Sequence, residues 1–95
     1  MATNGFSGTP IKGQIAEVKQ NCHHIVIQNE NSKDYFVGKV TEGQFPRPGD
    51  EIEGKFNSGH NLLDNLNKHE RFQFYTKGSF ANLNLAHNKL KEFCD

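Results

Sequence analysis

Asn21-Cys22-His23-His24-Ile25-Val26-Ile27, then Gln28-Asn29-Glu30-Asn31-Ser32, then Asp34-Tyr35-Phe36-Val37-Gly38-Lys39-Val40 is the stretch on which the fold turns. The run His24 to Ile27 is β-branched, which favours the pleated backbone of a strand over a helix. The five residues from Gln28 to Ser32 are turn formers, and Tyr35 to Val40 resumes an extended pattern. Two strands joined as a hairpin are therefore predicted. On the second of them Phe36, Gly38 and Val40 share one face, while Tyr35, Val37 and Lys39 share the other.

Working outward, Ile11, Gly13 and Ile15 alternate with Lys12, Gln14 and Ala16, and the pattern slips at Val18. This predicts a first strand with a bulge near Glu17. Lys19 to Asn21 is a polar turn. Gly43 to Asp50 holds two prolines, which cannot donate to a ladder, so a loop crosses there. Ile52, Gly54 and Phe56 then alternate with Glu51, Glu53 and Lys55, the mark of a strand with one face in water. After a break at Asn57-Ser58-Gly59, Leu62, Leu63 and Leu66 with Asn61 as N-cap suggest a short helix. Phe72 and Phe74 alternate again, and a hairpin about Lys77-Gly78 is expected to return as a strand to about Leu85. Leu83, Ala86, Leu90 and Phe93 also fall on one helical stripe, so a short helical tail should close the chain.

The chain has 95 residues, enough for one domain with a modest core. Eight Phe and two Tyr supply much of its apolar volume. Residues 1–10, small and polar, read as a flexible arm, and residues 11–95 as a single domain. Eleven basic residues balance eleven acidic ones, so no broad positive field draws the molecule to phosphate. Any nucleic-acid contact must be local. Two cysteines, Cys22 and Cys94, are too few for a disulfide scaffold, and no apolar run has the length of a signal or membrane segment. These features point to a reduced, cytoplasmic setting in which Cys22 packs as a small residue.

Five or six short strands with a proline-broken crossing after the third suggest a small Greek-key barrel of the OB type. In detail the chain resembles the cold-shock family. Asn31-Ser32-Lys33-Asp34-Tyr35-Phe36-Val37 is similar to the acidic turn and the start of that family's third-strand motif, with Phe36 at its first stacking position. Pro48-Gly49-Asp50-Glu51-Ile52-Glu53 resembles the entry to its fourth strand. Lys77-Gly78-Ser79-Phe80-Ala81-Asn82-Leu83 resembles the stretch that opens its last. The resemblance implies a mostly β, five-stranded OB-like barrel. An inserted short helix or hairpin, about residues 57–76, would lie between strands four and five, before a short C-terminal helix. His23 and Ile25 stand where the family has stacking aromatics, and Gly38-Lys39 stands for its His-Phe.

The function implied is non-catalytic binding of single-stranded RNA or DNA. His23, Tyr35, Phe36 and Phe45 would stack on bases, with Lys12, Lys19, Lys33 and Lys39 reaching phosphates. Each stacked base is worth ~1–3 kcal/mol, so a thinned aromatic set lowers affinity. The alternative is a protein-interaction module using the leucines around Leu62 to Leu66. No cofactor is implied. Adjacent strand residues such as His23 and His24 point to opposite faces and no Cys-x-x-Cys pair exists, so no metal site is expected. No acid, base and nucleophile stand at catalytic spacing, so an enzyme is not expected.

Overall fold

The β-branched run does form a strand, and the barrel is built around it. In a computed structural model, which describes residues 10–56 and 59–94, the order is β1 (Ile11–Lys19), a single 3-10 turn (Gln20–Cys22), β2 (His24–Asn29), β3 (Tyr35–Gly43), β4 (Glu51–Gly54), β5 (Gly59–Asn65), β6 (Glu70–Phe80) and α1 (Leu83–Cys94). The expected N-terminal arm and the break at Asn57-Ser58 lie outside the described residues, apart from Pro10 and Gly59. The strands close in the order β1-β2-β3-β6-β5-β4, with β4 returning to β1. All pairings are antiparallel, a topology compatible with an OB-like barrel. The described residues form six strands where five were expected, because the inserted segment contributes one.

The expected bulge in β1 is present, as the register with β2 slips between Ile15 and Glu17. Inside the barrel Ile15, Ile25, Ile27, Val40, Ile52, Leu63, Phe72 and Phe74 form the core, with Phe36, Phe45 and Phe56 packed against it. Phe36, Gly38 and Val40 all turn inward, as their common face requires. A Cβ at Gly38 would run into the Tyr75 carbonyl and the Phe74 ring, so only glycine lets β3 and β6 approach here.

Three local expectations are corrected. Leu62 to Leu66 belongs to strand and turn, not helix. Asn61, Leu63 and Asn65 are buried while His60 and Leu62 are exposed, a period of two that the leucine spacing had masked. The turn after it is held by Asn65, whose Oδ1 accepts from the backbone N–H groups of Asn67 and Lys68 at 3.1 and 3.3 Å. Lys77-Gly78 is not a hairpin. β6 runs straight through, and Lys77 is the extra residue where Val37 faces Gly78 and Gly38 faces Thr76. Leu83 to Leu85 is helical rather than strand, because the closed barrel offers no free edge and Asn82 caps a helix there. Its Oδ1 accepts from the Leu85 N–H at 3.0 Å.

The helix lies outside the barrel. Ala86 and Leu90, fully buried, pack on Val26 and Val37, flanked by Tyr35, Phe80 and Phe93. His87 Nδ1 sits 2.8 Å from a Glu17 carboxylate oxygen, tying α1 to β1.

Candidate nucleic-acid interface

One cross-strand row collects rings and cations on the outside of the barrel. Lys19 on β1 faces His24 on β2, His24 faces Lys39 on β3, Lys39 faces Tyr75 on β6, and Tyr75 faces His60 on β5. Because their chain neighbours Gly38, Val40, Phe74 and Asn61 fill the interior, alternation sends Lys39, Tyr75 and His60 outward. Tyr75 is 40% exposed. The His60 ring meets it edge to face at 4.8 Å between centroids.

His24 is buried in the middle of the row by the end of α1, its ring stacked on Phe93 at 5.8 Å. Its Nδ1 lies 2.7 Å from the Cys22 carbonyl and its Nε2 2.9 Å from the Lys77 ammonium. A carbonyl can only accept, so Nδ1 carries the proton and Nε2 accepts from Lys77. Burial pushes the His24 pKa below its ordinary 6.5, and the nearby cations Lys77 and Lys39 add to this against the opposing Cys22 hydrogen bond. The ring is thus neutral near pH 7. The positive charge of the strip belongs to Lys19, Lys39 and Lys77, and the Lys77 Nζ also sits 4.9 Å over the Phe93 ring.

The residues singled out from sequence are spread around the molecule. Lys19 and Lys39 fall in this row. Lys12 is exposed on β1 opposite Glu53, and Lys33 is exposed in the β2–β3 turn with φ 66°. His23 is exposed with φ 60°, its ring edge-on to Phe45 at 6.4 Å. Phe45 is itself packed against the core. Phe36 stacks on Phe56 at 4.8 Å and packs on the core, and Tyr35 packs under α1. These two rings are engaged in packing because at its start β3 is covered on both sides, by the barrel interior on one and by the helix on the other. Tyr75, His60 and Lys77 were not singled out. Their signal was the alternation Phe72, Phe74 against Gln73, Tyr75, which marks Tyr75 as outward once Phe74 is taken as core.

Beside the row lies an open groove of about 540 Å³ lined by Lys55, His60, Leu62, Asp64 and Arg71. Leu62 is 54% exposed. Arg71 is held by Asp64 through Nε at 2.8 Å, so it brings little net charge to the groove. Next to His24, Cys22 and Cys94 are joined by a disulfide, with Cα atoms 5.5 Å apart, where reduced and separate cysteines were expected. The helix brings Cys94 back across 72 residues of sequence to Cys22, a meeting that spacing alone does not disclose.

Compared with family models, with curated proteins and with solved structures, the chain matches none. Among the described residues no helix is long and apolar enough to cross a membrane.

Proposed function

We propose that this barrel binds single-stranded nucleic acid without chemistry, stacking bases on Tyr75 and His60 while Lys39 and Lys77 neutralise phosphates. The observation that carries the reading is the exposed Tyr75 between Lys39 and His60 on three adjacent strands. A base has a π-face whatever its identity, so a tyrosine flanked by a second ring and cations is a sequence-tolerant platform. In this reading the chain is a divergent cold-shock-like barrel in which Ile25 and Phe36, at the family's stacking positions, point into the core while α1 covers part of the outer face of β2–β3, so that stacking falls to β3–β6–β5. The zero net charge confines the attraction to the strip and keeps affinity modest.

A fluorescence titration with an oligo-pyrimidine at low salt tests this. Binding is expected to weaken steeply as salt rises. Tyr75→Ala, at an exposed position, is expected to weaken it roughly five- to hundredfold with the fold unchanged by circular dichroism. No binding at low salt, or an affinity untouched by Tyr75→Ala, contradicts the reading. The exposed Leu62 beside the groove favours a second one, a protein-interaction module. Loss of partner capture in Leu62→Asp, with no nucleic acid recovered, marks that outcome.

A further inference from the structure

Cys22, His24 and Cys94 offer three metal-competent donor atoms within 4.8 Å of one another, at the junction of the 3-10 turn, β2 and the last turn of α1. We propose that, once the Cys22–Cys94 bond is reduced, this cluster is a site for a thiophilic divalent cation of the Zn²⁺ type. Two features of the geometry carry it beyond proximity. The Cys22 carbonyl takes the Nδ1 proton of His24, the outer hydrogen bond by which a ligating histidine is usually oriented, and so leaves the Nε2 lone pair free of a proton. That lone pair is not directed into apolar packing. It faces a polar partner, the Lys77 ammonium, on an exposed and flexible side chain that can swing into solvent when a metal takes its place.

The donors also suit the ion. Two thiolates and one neutral imidazole are a soft, charge-balancing set for Zn²⁺, leaving one tetrahedral position for water. Disulfide and metal exclude each other. A dithiol reductant breaks the S–S bond, donates two electrons and two protons to the pair, and becomes a disulfide itself. Binding of the cation then releases the two thiol protons to solvent. In either state Cys94 stays clipped to Cys22, so α1 remains fastened over Val26 and Val37.

The test uses the full chain, reduced and kept free of oxygen, titrated with Co²⁺ as a spectroscopic probe. One equivalent is expected to give intense tetrahedral ligand-field bands and a sulfur-to-cobalt charge-transfer band, both bleached by Zn²⁺. The oxidised protein should give neither. Cys94→Ser is expected to reduce the charge-transfer band by about half and weaken Co²⁺ binding at least tenfold. His24→Gln should keep sulfur charge transfer but lose affinity, and Lys77→Met should bind more tightly. Circular dichroism and the dispersion of amide resonances confirm that each variant is folded. Absence of charge transfer in the reduced protein overturns the proposal. So does a charge-transfer band unchanged by Cys94→Ser, which takes Cys94 out of the ligand set; ligand-field bands with no charge transfer would instead assign the cobalt to surface histidines such as His23, His60 or His69.

Discussion

Asp50 shows how much one side chain can hold together. Its Oδ2 accepts from the Arg47 backbone N–H and the Asn65 side-chain amide, each at 2.9 Å, with the Lys68 ammonium at 4.0 Å. Its backbone carbonyl accepts from the Ile15 N–H at 2.9 Å, so the proline loop, β1 and the β5–β6 turn meet at this residue. Burial alone would raise the carboxyl's pKa, but the Arg47 and Asn65 hydrogen bonds and Lys68 outweigh it and hold it below its ordinary 3.8. A carboxyl depressed in the folded state contributes stability that is complete above its unfolded pKa and is lost as pH falls through the folded one. Asp50→Asn is therefore expected to lower the urea midpoint at pH 7 and to flatten the loss of stability below about pH 4, measured as midpoint against pH. An unchanged acid limb contradicts this role. Phe36 shows the limit of reading single residues. Alternation places it on a face with Gly38 and Val40, but which face lies inside depends on Phe56, which stacks on Phe36, and on Phe74, which closes over Gly38, 20 and 38 residues beyond Phe36.

Among the elements, the strands with strict alternation were legible and the helix's start was not. β4 and the bulge in β1 follow from period alone. β5 was misread because Leu62, Leu63 and Leu66 mimic helical spacing, whereas the burial of Asn61 and Asn65 that makes it a strand depends on partners brought by folding. Asn61 donates to the Gly59 carbonyl two residues back at 3.1 Å and to Thr76 Oγ1 on β6 at 3.0 Å, and the second contact forms only once β5 pairs with β6. For α1, the apolar stripe was visible but its covalent fastening was not. A helix of 12 residues is marginal in isolation, so its order rests on packing over β2 and β3 and on the Cys22–Cys94 bond. Closing a loop across 72 residues removes unfolded-state entropy worth up to about 4 kcal/mol. In metal-free buffer, reduction or Cys94→Ser is expected to lower unfolding free energy by about 2–4 kcal/mol. Hydrogen exchange should quicken selectively in Leu90 to Cys94 before it quickens in β6. Equal acceleration in both elements would show that the helix is not separately held.

At the scale of the molecule, hydrophobic patterning set the class of fold and chain closure set the details. The hairpin of β2 and β3, the proline crossing and the wet fourth strand are enough to expect a small barrel. Closure through β1 and β4 then left no edge for the strand expected at Leu83. The candidate site was only half legible for the same reason. Lys19 and Lys39 are readable as strand lysines, but the row that joins them to Tyr75 and His60 exists only because β3, β6 and β5 are neighbours out of sequence order. A neutral chain can still present a positive, ring-bearing strip when three lysines are gathered on one side of it. The most direct measurement of that strip's role is an amide chemical-shift titration with an oligo-pyrimidine at low salt. The largest shifts are expected along Lys39, His60, Tyr75 and Lys77, fading as salt rises. Shifts centred instead on Phe36, His23 and Phe45, or none at any ligand excess, would contradict it.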